Sequence, residues 1–186
     1  SDISMHMIFV GNPGTGKTTI ARIVAKYLKA IGVLSSGHLC EVTRADLVGQ
    51  YAGHTAVKTT EVINGAVGGV LFIDEAYSLC RDKNDAFGLE AIDALVKGME
   101  DNRDDLVVIL AGYEDEMQEF LKSNSGLKSR FPNTVHFEDY TVDEMLAIAK
   151  VTAASKGYKI DADCEDGLVH QIEKHQIKGK NDGGNG

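Results

Sequence analysis

Residues 11–18 read Gly-Asn-Pro-Gly-Thr-Gly-Lys-Thr, a match to GxxxxGK[ST]. The match sits between the apolar run Met7–Val10 and a segment in which Ile20, Ile23, Val24, Tyr27, Leu28 and Ile31 recur at helical spacing. A strand that empties into a glycine-rich loop and then a helix is the context this pattern requires. The glycines let successive backbone N–H groups turn toward one concavity, and the helix adds the positive end of its dipole, so a polyphosphate is met by fixed donors. On this reading Gly11, Asn12, Pro13, Gly14, Thr15, Gly16, Lys17, Thr18 and the adjoining Thr19 contact the nucleotide. Lys17 neutralises the β and γ phosphates, and the Thr18 hydroxyl completes a Mg²⁺ shell of hard oxygen ligands. The bland alternative is a glycine-rich strand-to-helix turn with a surface lysine.

The rest of the chain alternates in the same way. His38–Thr43 reads as a strand, and Thr55–Asn64 as a helix with Gly65, Gly68 and Gly69 at its end. Val70–Ile73 and Leu106–Ala111 are continuous apolar runs, as expected of strands covered on both faces. Leu89, Ile92, Leu95, Val96 and Met99 stripe a helix between them, Glu114–Leu121 forms another, and Thr134–Phe137 gives a last short strand. The expected fold is α/β: a parallel sheet of the P-loop type flanked by helices, followed by the start of a small helical lid. Residues 1–139 form the nucleotide-binding unit. Residues 140–186 form the partial lid, opening on the capping box Thr141–Glu144 and carrying a second helix from about Asp163 to His175. The start on Ser1, almost directly into a strand, and the closing run Gly179–Gly186 read as cuts inside a longer chain.

Asp74 and Glu75 follow the apolar run Val70–Ile73, at the carboxyl end of a strand, where open parallel sheets place their ligands. Asp74 can hold the Mg²⁺ shell, and Glu75 can orient and polarise an attacking water, since phosphoryl transfer asks chiefly for positioning and charge stabilisation. Capping of the next helix is the competing role for an isolated Asp-Glu pair. The upstream phosphate loop tips the balance toward chemistry, with Lys17 and Glu75 as the catalytic pair.

Composition removes other classes. A net charge of −9 disfavours a nucleic-acid binder, because the phosphate backbone repels an acidic body. Cys40, Cys80 and Cys164 are widely spaced with no CxxC pair, so reduced thiols are expected and a disulfide framework or zinc site is not. No apolar run approaches a membrane span, and the first residues lack a secretory layout, which points to the cytoplasm and to no membrane partner. His170 and His175 lie five residues apart, out of register for a shared metal, and the other histidines are scattered. No protein-bound metal is expected apart from Mg²⁺ accompanying ATP.

The stretches HMIFVGNPGTGKTTIARIVA, GHLCEVTRADLVGQYAGHTAVKT, GGVLFIDEAYSL, RDDLVVILAGYEDEM and GLKSRFP, in this order over most of residues 6–140, resemble the CbbX/CfxQ/SpoVK family of AAA+ ATPases. The resemblance implies a ring-shaped, usually hexameric motor that hydrolyses ATP and remodels a protein substrate. It also implies that Arg130, in Ser129-Arg130-Phe131-Pro132, serves as an arginine finger reaching a neighbouring subunit's γ-phosphate, and that Tyr51-Ala52-Gly53 is a pore loop gripping extended polypeptide. Residues Arg81–Asp85 could form a second pore-facing loop or an ordinary solvated one. The strand Leu106–Ala111 continues into Gly112-Tyr113-Glu114 where many relatives place Asn or Thr, so either Tyr113 or Glu114 could take the sensor position through a water. The chain stops about where the family approaches its second, lid-borne sensor arginine.

Two further classes remain in view. A P-loop kinase or GTPase would need an acceptor lid or a base-specificity motif resembling [NT]KxD, and neither is present. A nucleotide-gated assembly or adaptor module would bind ATP with little turnover, and it has no use for a water-positioning Glu75. The identity of the protein client is not written in these motifs.

Overall fold

The computed structural model describes residues 4–12, 14–137, 150 and 154. Strand β1 (Met7–Val10) leads through the glycine loop into helix α1 (Lys17–Ala30). Strand β2 (Leu39–Val42) is followed by the single-turn helix α2 (Arg44–Leu47) and by α3 (Thr55–Ala66). Strand β3 (Val70–Ile73) runs into a 3₁₀ turn (Ala76–Leu79) and helix α4 (Ala86–Asp101). Strand β4 (Val107–Gly112), helices α5 (Glu114–Lys122) and α6 (Ser125–Lys128), and strand β5 (Asn133–His136) complete the described part.

The five strands form one parallel sheet in the order β2-β3-β4-β1-β5. Its three inner strands are buried along their whole length, and this follows from their composition. Successive side chains of a strand face opposite layers, so a strand between two helical layers must be apolar at every position. Ile8, Val10, Leu71, Ile73, Val108 and Leu110 pack on the layer that holds α3, α4 and α5. Met7, Phe9, Val70, Phe72, Val107 and Ile109 pack on the side of α1, against Ile20, Ala21, Ala25 and Leu28. Burying each large side chain of this set contributes about 1.5–3 kcal/mol. The edge strands carry the polar residues Glu41, Asn133, Thr134 and His136 and are only half-buried.

Strand order also positions the site. The connection from β1 crosses to the far edge at β2, whereas β4 runs on past β1 to β5, so neighbouring strands β1 and β4 send their chains in opposite directions. A crevice opens at their carboxyl ends, which is where ligands of open α/β sheets lie.

The strands and long helices fall where the hydrophobic pattern puts them, with α3 continuing past Gly65 to Ala66. Three elements have no counterpart in the pattern: α2, the 3₁₀ turn and α6. Each is four residues long, too short to display a 3.6-residue period. The expected boundary at residues 139–140, the capping box Thr141–Glu144 and the helix from Asp163 to His175 lie outside the described residues.

Candidate functional site

The loop after β1 takes its shape from backbone conformations that favour glycine. Gly14 (φ 76°) and Gly16 (φ 87°) occupy the left-handed region. Gly16 is the residue before α1, no side chain caps that helix, and no acidic residue stands in its first turn. Its leading N–H groups and the positive dipole end therefore face outward without a competing anion from the helix itself. Thr15 closes the loop with a hydrogen bond from its hydroxyl to the Asn12 carbonyl at 2.8 Å. The Lys17 ammonium donates to the carbonyls of Gly11 (2.8 Å) and Asn12 (2.9 Å), which places the cation across the concavity. Pro13 lies outside the described residues.

Facing the loop are the carboxyl ends of β3 and β4. Asp74 extends the ladder of β3, its N–H donating to the Val42 carbonyl at 2.9 Å, and its Oδ1 accepts the Glu75 N–H at 3.0 Å. Glu75 has φ 49° and ψ 49°, and it is the one non-glycine residue with positive φ among those described. A left-handed conformation at a non-glycine residue costs on the order of 1–3 kcal/mol, and such outliers concentrate at functional sites. Glu75 precedes the 3₁₀ turn, but its carboxylate makes no capping bond to it. The helix-capping alternative for this residue thus has no hydrogen bond behind it.

A cleft of about 280 Å³ joins these parts. Gly11, Gly14, Gly16, Lys17, Thr18 and Thr19 line one wall, and Asp74, Glu75, Gly112 and Tyr113 line the other, over Phe72. Thr18 and Asp74 thus present a hydroxyl and a carboxylate to the same space, a pair of hard oxygen donors of the kind Mg²⁺ takes. Of the two residues open for the sensor position, Tyr113 lines the cleft, while Glu114 Oε1 approaches His136 Nδ1 at 3.2 Å on the side of β5. Beside the cleft, burial raises the Tyr77 hydroxyl pKa above its ordinary value, with Glu75 the next contributor.

Two expected site residues lie away from this cleft. Tyr51, Ala52 and Gly53 are exposed on the connection between α2 and α3, with Tyr51 66% accessible and touching His54 edge-on at a ring separation of 5.6 Å. Arg130 follows α6 and pairs with Glu100 at the end of α4 (Nε to Oε1, 3.0 Å), also donating to the Gly126 carbonyl at 2.7 Å.

Glu41 and Arg44 carry no expected role in the sequence, and Asp85 enters it only as the end of the loop Arg81–Asp85. Glu41 accepts a long hydrogen bond of 3.4 Å from the Thr18 hydroxyl. Its signal was an acidic residue inside an otherwise apolar strand, in register with Phe72, two residues before Asp74. Arg44 and Asp85 form a half-buried ion pair at 2.5 Å, with side chains 15% and 9% accessible. That pair joins segments 41 residues apart, and spacing in sequence gives no hint of it.

Fold and cleft together define a P-loop nucleotide-binding domain. The profile described as "ATPase family associated with various cellular activities (AAA)" matches residues 7–139, and the chain belongs to this AAA family of ATPases. Stage V sporulation protein K of Bacillus subtilis is 52% identical over 162 residues, covering 87% of this chain and 50% of that protein. The chloroplastic ribulose bisphosphate carboxylase/oxygenase activase of Cyanidioschyzon merolae is 50% identical over 175 residues, 94% of this chain and 60% of the relative. Protein CfxQ of Xanthobacter flavus is 49% identical over 176 residues, 94% and 56% of the two chains. The chain thus spans about half to three-fifths of the length of these relatives. Among solved structures, the S. cerevisiae Hsp104:casein complex in its extended conformation shares the fold, with a TM-score of 0.52 and 20% identity over 82% of this chain and 27% of that one. No helix among the described residues is long and apolar enough to cross a membrane.

Proposed function

We propose that this chain hydrolyses ATP with Mg²⁺ as the motor domain of a ring, most simply a hexamer, that remodels a protein substrate. The observation that carries the reading is the shared cleft, in which the phosphate loop and the pair Asp74–Glu75 face each other. In this reading the backbone N–H donors of residues 14–16 and the Lys17 ammonium hold the phosphates. Thr18 and Asp74 hold Mg²⁺, which neutralises charge on them when bound. Glu75, pinned by its left-handed backbone, orients a water toward the γ-phosphate and takes its proton.

Arg130 belongs to the neighbouring subunit's site. Its bond to Glu100 is between partly exposed partners, 31% and 53% accessible, and exposed pairs are worth about 0–1 kcal/mol. The guanidinium can leave Glu100 at little cost and take up charge building on a phosphoryl group across a subunit boundary. Tyr51, an aromatic held out on a short loop, offers contact area to a polypeptide without demanding a sequence. The names of the relatives include a Rubisco activase and a sporulation protein, so the client belongs to the whole protein and not to the cleft.

Glu75→Gln tests the assignment: ATP binding is kept and turnover falls at least a hundredfold, and turnover that persists removes Glu75 as the base. Arg130→Ala tests the ring. Turnover that rises with protein concentration in the parent and loses that rise in the variant supports it, whereas concentration-independent turnover in the parent rejects it.

A further inference from the structure

A half-buried ion pair links the segment that follows Glu75 to the short helix that leads into the Tyr51 loop. We propose that Arg44 and Asp85 form a brace that couples the Asp74–Glu75 strand end to the Tyr51 loop, with Arg44 as the positioning residue. This rests on the reading of the cleft and of Tyr51 given above.

One end of the brace is the segment that follows Glu75. The 3₁₀ turn is tied directly to it, the Ser78 N–H donating to the Glu75 carbonyl at 2.9 Å. The Ser78 carbonyl in turn accepts from Arg44 Nη1 at 2.8 Å. The same guanidinium grips Asp85 by two bonds, Nη1 to Oδ2 at 2.5 Å and Nη2 to Oδ1 at 3.0 Å. Asp85 also accepts the Arg81 N–H (3.1 Å) and the Gly88 N–H (3.0 Å), the latter capping α4. At Gly88 a β-carbon would stand 1.8 Å from the Leu79 carbonyl, so the first turn of α4 packs directly on the 3₁₀ turn. The turn, residues 81–85 and the start of α4 are tied into one block, gathered around a carboxylate whose four bonds all come from it or from Arg44.

The other end is α2, of which Arg44 is the first residue. Leu47 at its far end is fully buried, and its carbonyl accepts from the Thr59 hydroxyl at 2.8 Å. The Gly49 N–H donates to the Thr55 hydroxyl at 3.0 Å, which fixes the two ends of the loop that carries Tyr51 to each other. A displacement of the 3₁₀ turn therefore reaches Tyr51 through rigid pieces: Ser78 and Asp85, the Arg44 guanidinium, a one-turn helix and a loop clamped at both feet. A lysine could keep the charge but not the planar fork that holds Asp85 and the Ser78 carbonyl together.

The chain contains no tryptophan, so Tyr51→Trp installs a single fluorescent reporter on the loop. In the full chain carrying Tyr51→Trp, emission and acrylamide quenching are measured with and without ATP and Mg²⁺, and the dissociation constant of a fluorescent ATP analogue is measured alongside. Arg44→Lys and Arg44→Gln are then added separately. The brace predicts a nucleotide-dependent tryptophan signal that falls at least threefold in both variants, while the dissociation constant stays within twofold. Arg44→Lys, the milder change, keeps the test open should the glutamine variant unfold. A tryptophan signal retained in full by Arg44→Lys overturns the brace, and so does a nucleotide-bound parent with no signal at all. Loss of signal only in step with loss of nucleotide affinity assigns Arg44 to the architecture of the site and also overturns it. Failure of the parent to bind the analogue overturns the functional reading itself, and the brace with it.

Discussion

The phosphate loop and the Tyr51 loop are of similar length and are built on opposite plans. Residues 11–18 are closed on themselves: left-handed glycines set the path, Thr15 bonds back to Asn12, and Lys17 spans two carbonyls of the same loop. The loop at 48–54 is held chiefly at its ends, with a single-turn bond from the His54 N–H to the Tyr51 carbonyl at 3.2 Å, and Tyr51, Ala52 and Gly53 are exposed. On the proposed function, the difference follows from the ligands that each loop would meet. A phosphate is small, rigid and strongly charged, so it is best served by donors already in place, with no reorganisation left for the moment of reaction. An extended polypeptide varies in shape, so it is best met by a rigid ring on a tethered loop. Substitutions in the first loop should therefore be costly for binding, and those at the tip of the second should leave the fold untouched.

The largest effect is expected at Lys17. Lys17→Ala removes the ammonium that, among the described residues, lines the concavity, and charge-assisted bonds to phosphate are the strong ones. Affinity for an ATP analogue should fall about a thousandfold, or ~4 kcal/mol, by calorimetric titration. A loss below tenfold would mean that the backbone donors alone carry phosphate binding.

The link between the two regions comes next. The hydrogen bonds from the Arg44 guanidinium, with those from Arg81 and Gly88, hold the Asp85 carboxyl well below the ordinary carboxylate range, against the opposing effect of burial. A depressed folded-state pKa means stability that is fully present above the unfolded value and is lost as pH falls toward the folded one. Asp85→Asn should therefore lower unfolding stability by about 2 kcal/mol at pH 7, the scale of hydrogen bonds to a charged group. The gap between parent and variant should stay constant down to about pH 5 and narrow below about pH 4, where the unfolded carboxylate protonates. Urea denaturation at several pH values measures it, and a gap that widens in acid would reverse the argument.

Gly16 should give a smaller effect on stability. At φ 87° an alanine is strained by about 1–2 kcal/mol, although nothing stands within 4 Å of the added carbon. The cost is purely conformational, so Gly16→Ala should lower the urea midpoint without changing the slope. A stability unchanged within error would show that the loop can relax out of the left-handed region.

These cases also show what the sequence makes legible. The five strands, the long helices and the phosphate loop are written locally, in apolar runs, helical spacing and glycine placement, because each is fixed by contacts on its own period. Asp74 and Glu75 could be read from their position after a buried strand. Arg44 and Asp85 could not, since nothing in either neighbourhood marks a partner 41 residues away. The strain at Glu75 is likewise invisible, because only the backbone dihedral reveals it. Arg130 sits between these cases. The resemblance supplied its expected role, and its bond to Glu100 appears only once α4 and α6 are brought together.

The smallest expected change is also the sharpest separation of the two loops. Tyr51 has 66% of its surface in solvent and a ring neighbour in His54, so Tyr51→Ala removes only a small surface contact. Surface changes of this kind usually stay within ±0.5 kcal/mol, and the melting temperature and nucleotide affinity of the variant should match the parent. If the loop grips polypeptide, the substitution must act elsewhere: any stimulation of ATP turnover by an unfolded protein such as casein should fall severalfold in Tyr51→Ala and be retained in Tyr51→Phe. An aromatic ring without its hydroxyl keeps the contact area, so the phenylalanine variant separates grip from hydrogen bonding. A Tyr51→Ala variant that melts several degrees lower would place Tyr51 in the architecture instead, and would erase the contrast between a loop built closed and a loop built open.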